Sequence, residues 1–185
     1  MLWKKNPESA HEYIVRKADP SDAYGIINCM QSVMSEQIYL VSEYYLLTEK
    51  GEQDRLRNLD DLTLVCALDR KIVGVLTIQR GIYRKNRHTA SLGIAIMAGH
   101  RHKGLGTRMI KEAILWCEEQ EIQKLNLEVF STNVNAIEAY KKVGFKIEGS
   151  RRKQFIINGQ YVDDVMMTYF VDKSIDTDTD DYNSS

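Results

Sequence analysis

The clearest pattern in the chain is a change of apolar spacing near its centre. Across residues 89–97, the apolar Leu92, Ile94 and Ile96 alternate with smaller residues, as in a strand with a buried face. After a basic turn that contains glycines, apolar residues recur at helical spacing, at Leu105, Met109, Ala113, Trp116 and Cys117. Residues 90–119 are therefore predicted to form a strand, a tight turn and an amphipathic helix.

The residues that precede this stretch predict further helices. Asp19 can cap a helix that has Pro20 at its first position. The apolar face of that helix would carry Ala23, Ile26, Ile27, Met30 and Met34. Residues 35–58 are more polar and contain several tyrosines, and they are also expected to be helical.

The remaining apolar segments predict strands and hairpins. Strands are expected at 13–16, 62–67, 72–79, 124–130, 145–157 and 160–171. Asp69-Arg70-Lys71 would close one hairpin, and Asn158-Gly159 is a strong signal for another. A short helix at 133–143 would end at Gly144. The fold class that follows is α+β, with a mixed, mostly antiparallel central sheet and helices on both of its faces.

Composition limits the classes of function. A chain of 185 residues with 43% hydrophobic and 28% charged residues suits one domain, which we expect at 13–171. Residues 1–12 are expected to be loosely held, and the acidic residues 172–185 to be a disordered tail. The net charge of −1 gives no bulk attraction to nucleic acid.

Cysteine and histidine usage predicts no metal site and a reducing compartment. Cys29, Cys66 and Cys117 each lie in an apolar segment, as buried free thiols do, and the four histidines show no ligand spacing. No apolar stretch has the length of a signal peptide or a membrane span, so we expect a cytoplasmic protein without membrane partners.

The turn between the central strand and helix has the properties of an anion site. The first N–H groups of a helix lack partners within it, and Gly104 and Gly106 would let a phosphate approach them. Arg101 and Lys103 add positive charge. A G-x-G pair alone fits an ordinary connection equally well. The spacing matches neither a Walker loop nor the dinucleotide fingerprint.

The spacing Arg-x-x-Gly-x-Gly, after a strand and at the start of a helix, resembles the acyl-CoA pyrophosphate loop of the GNAT superfamily of N-acetyltransferases. Residues 125–145, LNLEVFSTNVNAIEAYKKVGF, resemble the next strand and helix of that superfamily. The resemblance runs from about residue 62 to residue 170, and ribosomal-protein alanine and small-amine acetyltransferases have the most similar pattern. It implies acetyl-CoA as cosubstrate, a primary amine as acceptor, direct attack in a ternary complex, and a central strand that splays from the strand at 124–130.

The resemblance also implies roles for individual residues. The backbone of Ile94, Ala95 and Ile96 would pair with the pantetheine arm, and the Ile96 N–H would polarise the thioester carbonyl. Backbone N–H groups would hold the pyrophosphate at His102, Lys103, Gly104, Leu105, Gly106 and Thr107. Asn133 would bond the cosubstrate. Tyr140 would protonate the leaving thiolate, and Glu128 would be the general base.

Tyr140 and Glu128 could each have a purely structural role instead. Tyr140 could be a core tyrosine, and Glu128 a salt-bridged glutamate on a strand. Many members of the superfamily deprotonate the amine through water. A non-catalytic acyl-CoA-binding sensor or interaction module is the alternative to an enzyme.

The sequence leaves the acceptor and the oligomeric state open. A small amine or a protein N-terminus would bind between residues 35–58 and the hairpin around 155–161. The carboxylates that could attract a cationic acceptor are Glu36, Glu43, Asp163 and Asp164. The basic residues 150–153 could meet the 3′-phosphate of the cosubstrate or repel a cationic acceptor, but they fit a solvated sheet edge better. A homodimer through the late strands is suggested by analogy alone.

Overall fold

The computed structural model describes residues 12–176, and the expectations for 1–11 and 177–185 lie outside this range. The strands are β1 (Ile14–Lys17), β2 (Leu62–Leu68), β3 (Lys71–Arg80), β4 (Thr89–Ile96), β5 (Lys124–Phe130), β6 (Lys146–Ile157) and β7 (Gln160–Phe170). The helices are α1 (Ala23–Met34), α2 (Glu49–Leu56), α3 (Leu105–Glu119) and α4 (Val134–Val143). Asp172 caps a 3-10 turn at Lys173–Ile175, within the segment where the tail was expected.

The strands form one sheet in the order β1-β2-β3-β4-β5-β7-β6, in which only β4 and β5 run parallel. Both expected hairpins are present. Their central residues, Asp69-Arg70 and Asn158-Gly159, all have positive φ, as a type I′ turn requires. The predicted fold class is therefore confirmed.

Two cores hold helices against opposite faces of the sheet. Beneath α3 and α4, buried residues such as Leu76, Met109, Leu125 and Tyr140 form the larger core. Beneath α1, a smaller core is built from Ala18, Ile26, Cys29, Val65, Ile72 and Val75. All three cysteines are free and buried, as expected. Among residues 12–176, no helix is long and apolar enough to cross a membrane.

The buried face of the first helix differs in part from the predicted one. Asp19 accepts a hydrogen bond from Ser21 N–H, and Pro20 starts a 3-10 turn that leads into α1. The buried face of α1 consists of Ala23, Ile26, Cys29, Val33 and Met34. Ile27 and Met30, which were expected on that face, are only half-buried.

The helical prediction for 35–58 is wrong for most of its length. Only the eight residues of α2 are helical, and the residues before them form turns and irregular backbone. β-Branched and aromatic residues at 38–45 have low helix propensity. The segment is held instead by buried Glu52, which accepts hydrogen bonds from the Tyr45 hydroxyl at 2.7 Å and from Arg55 Nε at 2.9 Å.

The central pair of strands separates as expected. β4 and β5 are paired only from Thr89↔Lys124 to Ser91↔Asn126. Beyond Ser91, β4 continues to Ile96 without a partner on that side, and β5 is paired only with β7. A gap therefore opens between two neighbouring strands in the middle of the sheet.

Candidate active site

The gap between β4 and β5 opens into a cleft of about 330 Å³. Its walls come from β4, the loop before α3, the first turns of α3, the end of β5, and α4, together with Val33, Tyr39 and Leu40. All the predicted catalytic and cosubstrate-binding residues line this cleft except Lys103. Lys103 instead donates to the Tyr13 hydroxyl at 3.0 Å and lies over the Tyr13 ring.

Backbone direction along β4 decides which residues can bond a ligand in the gap. The Met97 N–H donates to Val73 and the Gly81 N–H to Thr89, so odd-numbered residues of β4 face β3. The N–H and C=O of Ala95 therefore pair with β3. They are not available to pair with pantetheine, which corrects the expectation from the sequence. The backbone groups of Ile94 and Ile96 face the gap.

The helix α3 begins at this gap with an open N-terminus. Its N-cap, Gly104, has φ 75° and no side-chain cap. A Cβ at Gly104 would meet no atom within 4 Å, so glycine is required there by the left-handed backbone rather than by lack of space. The first N–H groups of α3 thus face open space at the positive end of the helix dipole.

Arg101 joins the loop before α3 to the end of β4 and to the segment that follows α1. Its Nε donates to the Ile96 carbonyl at 2.7 Å, and its Nη1 and Nη2 donate to Glu36 at 2.8 and 2.5 Å. Its guanidinium also lies 4.5 Å from the centre of the Tyr39 ring. These contacts stiffen the loop. Glu36 forms an ion pair with Arg101, so it is not the free carboxylate that was expected to attract a cationic acceptor.

Tyr140 lies where the larger core borders the cleft. It is only 8% exposed and its ring packs against Phe145. Burial raises the pKa of Tyr140 to about 12. No residue between 12 and 176 accepts a hydrogen bond from its hydroxyl, and that oxygen is not sealed from solvent. The phenol is therefore packed as a core residue that also lines the cleft, and its hydroxyl oxygen remains accessible.

Glu128 and Asn133 both line the cleft and both have a local structural partner. Glu128 accepts a hydrogen bond from Arg151 Nη1 at 2.7 Å, and its side chain is 57% exposed. Asn133 is the N-cap of α4 and accepts from the Ala136 N–H at 3.4 Å. The salt bridge foreseen for Glu128 is present, and the carboxylate still borders the cleft.

Comparison with known proteins identifies the family. Residues 28–145 match the model of the acetyltransferase (GNAT) family. The chain belongs to this family. The L-amino acid N-acetyltransferase AaaT of Escherichia coli K12 is 34% identical over 161 residues, which cover 82% of this chain and 94% of that protein. Members of the family are acyltransferases, and this chain is an N-acetyltransferase.

Solved GNAT structures share the fold. A GNAT acetyltransferase from Streptococcus pneumoniae superposes with a TM-score of 0.81 at 29% identity, over 86% of this chain and 99% of that one. The acetyltransferase yncA of Salmonella typhimurium, solved with its cofactor acetyl-CoA, superposes with a TM-score of 0.79 at 16% identity. That second superposition covers 87% of this chain and 95% of yncA.

The structure shows contacts in the site of the acetyltransferase that its sequence did not predict. Val33, Tyr39 and Leu40 form an apolar wall of the cleft, and Arg151 joins Glu128 to Asp164. Asp164 is thereby neutralised, and Asp163 accepts from the Lys153 N–H at 2.7 Å. Glu43 is exposed and does not line the cleft. Among residues 12–176, no group of three or more histidine, cysteine or acidic side chains is arranged to hold a metal ion.

Proposed function

We propose that this GNAT enzyme transfers the acetyl group of acetyl-CoA to a primary amine by direct attack in a ternary complex. The observation that carries the proposal is the unpartnered edge of β4, which leads directly to the open N-terminus of α3. These two features offer backbone donors and acceptors along a gap and then a positive helix end. That order suits an extended, amide-containing arm that ends in a pyrophosphate.

The chain's own groups would hold this cosubstrate through the backbone. The N–H and C=O of Ile94 and the N–H of Ile96 would bond the arm as an added strand, because the Ile96 carbonyl already accepts from Arg101. The N–H groups of the loop and first turn of α3, from 102 to 107, would bind the pyrophosphate, and the Asn133 carboxamide would add a polar contact. When bound, acetyl-CoA supplies an activated acyl group.

Two groups would act on the charge that develops during transfer. The Ile96 N–H would donate to the carbonyl oxygen as negative charge grows on it. The Tyr140 hydroxyl would donate to the departing sulfur. A phenol with a pKa of about 12 stays protonated throughout the neutral range, so Tyr140 is always ready to donate. An ordinary thiol has a pKa near 8.5, so full proton transfer is unfavourable and a strong hydrogen bond is the main contribution.

Tyr140→Phe tests the donor role. We expect kcat to fall by about 10²-fold or more, while the affinity for acetyl-CoA stays unchanged, because the hydroxyl has no partner within the described fold. Free thiol release against a panel of amino acids, polyamines and short peptides measures turnover. Tyr83→Phe, an exposed tyrosine outside the cleft, is the matched control. An unchanged rate in Tyr140→Phe would show that the hydroxyl does not stabilise the departing sulfur.

Glu128 would accept the amine proton, directly or through water. Glu128→Gln keeps the shape and can still bond Arg151, but it cannot act as a base. We expect kcat to fall by about tenfold to a hundredfold, with little change in acetyl-CoA binding. If kcat is retained, solvent takes the proton and Glu128 is only structural.

A further inference from the structure

Three charged side chains meet at Glu128, which lines the cleft. Arg151 of β6 donates through Nη1 to Glu128 of β5 at 2.7 Å and to Asp164 of β7 at 2.5 Å. Asp164 is buried, with only 3% of its side chain exposed, whereas the Glu128 side chain is open to the cleft. Three neighbouring strands therefore bring one cation, Arg151, and one further anion, Asp164, to the proposed base Glu128.

The guanidinium of Arg151 retains most of its binding capacity. Both of its contacts use Nη1, and no residue between 12 and 176 accepts a hydrogen bond from Nε or Nη2. The side chain is 45% exposed. A guanidinium carries five N–H donors in a rigid fork that matches a carboxylate. The buried Asp164 fixes one arm of that fork and leaves the other edge available.

We propose that the acceptor is a free α-amino acid, whose carboxylate binds the open edge of Arg151 while its amine lies beside Glu128. This inference rests on the proposed function. An α-amino acid carries opposite charges on neighbouring groups, and Arg151 and Glu128 present the complementary pair in direct contact. The apolar wall of Val33, Tyr39 and Leu40 is suited to an uncharged side chain.

The same cluster disfavours the two other acceptor classes. A polyamine has no anion for Arg151, and two of the carboxylates that could attract it are already in ion pairs: Asp164 with Arg151, and Glu36 with Arg101. A protein N-terminus has a neutral peptide group where an amino acid has its carboxylate. It would therefore lose the charge-assisted hydrogen bonds to Arg151.

Matched pairs of acceptors test the proposal. Thiol release is measured with free L-amino acids, with their primary amides and with spermidine. For the wild type we expect kcat/KM of the best amino acid to exceed that of its amide by about tenfold to a hundredfold. Arg151→Gln should abolish this preference, mainly by raising KM for the free acid. Arg152→Gln changes an exposed neighbour that forms no hydrogen bond or ion pair with residues 12–176, and it should keep the preference.

Two readouts separate recognition from a structural role. Arg151→Gln removes the ion pair of the buried Asp164, so a loss of activity alone would not distinguish recognition from misfolding. Calorimetric binding of acetyl-CoA reports whether the fold is intact. Arg151→Lys keeps the charge and should restore part of the preference for the free acid. If Arg151 only orients Glu128, kcat would fall equally for acid and amide, which would overturn the proposal. An amide or spermidine used as well as the free acid would also overturn it, yet leave the proposed function standing. Bound acetyl-CoA with no turnover on any amine would instead refute the proposed function.

Discussion

The two ends of the cleft are built in different ways. At the proposed cosubstrate end, the binding groups belong to the backbone of β4 and α3, and side chains serve mainly to leave that backbone open. At the proposed acceptor end, the surface is made of side chains that are far apart in sequence and meet in ion pairs, such as Arg151 with Glu128 and Arg101 with Glu36. The first arrangement depends on local conformation, and the second on tertiary assembly.

This difference predicts that one change of backbone geometry disables the cosubstrate end. Gly104→Glu places an L-residue at φ 75°, which costs about 1–2 kcal/mol, and puts a negative charge where a pyrophosphate would bind. We expect acetyl-CoA affinity to fall by about a thousandfold or more in calorimetric titration.

Gly99→Glu is the matched control for this prediction. It adds the same charge just upstream of the loop, where a new Cβ meets no atom within 4 Å and φ is not positive. We expect its effect on affinity to be far smaller. Normal affinity in Gly104→Glu would contradict the assignment of the phosphate site.

The same difference explains what the sequence could predict. The strand–loop–helix unit and the hairpin at Asn158-Gly159 have local signals, namely apolar period, glycine position and turn residues. The backbone at 35–48 has no such signal, because its conformation is fixed by a polar cluster around Glu52 that reaches Thr63 on β2 through Arg55. A polar, tyrosine-rich segment was therefore mistaken for helix.

The same contrast applies to the candidate site residues. Tyr140 and Asn133 were singled out because a family pattern names them, and the helix that begins after Asn133 and carries Tyr140 has clear boundaries. Whether Ala95 or its neighbours face the gap depends on the register with β3, which no local pattern reveals. The contact between Arg151 and Glu128 joins residues 23 positions apart on strands that are not adjacent in the sheet. Such pairs become visible only in the folded chain.

Tyr140 lies between the two ends of the cleft. Its effect on the pH dependence of the unfolding free energy tests how deeply the phenol is buried. Its pKa of about 12 compares with an ordinary value of 10. Below pH 10 the phenol is neutral in both states. As the pH rises above 10, the unfolded chain ionises first, so stability is lost up to about pH 12. Between pH 8 and pH 11, the wild type should lose about 1.4 kcal/mol more unfolding free energy than Tyr140→Phe.

Urea denaturation of both proteins at the two pH values measures this difference. Tyr45, Cys29 and Cys117, whose pKa values burial also raises, are present in both proteins and cancel. An equal alkaline loss would mean that the Tyr140 phenol is solvated, and its place would then be on the cleft surface rather than in the core.

The smallest expected effect concerns the link between the two ends. Arg101 bonds Ile96 at one end and Glu36 at the other, so Glu36→Gln should loosen the wall that contains Tyr39 while the contact with Ile96 remains. The pair is about one-fifth exposed, and glutamine keeps one hydrogen bond. We therefore expect KM for the acceptor to rise by about threefold, with a smaller change in acetyl-CoA affinity. Glu138→Gln, which breaks an exposed ion pair on α4, is the control. If Glu36→Gln weakened acetyl-CoA binding more than acceptor binding, the main role of Arg101 would be to hold the loop before α3. The cosubstrate end and the acceptor end would then depend on each other more than their separate contacts indicate.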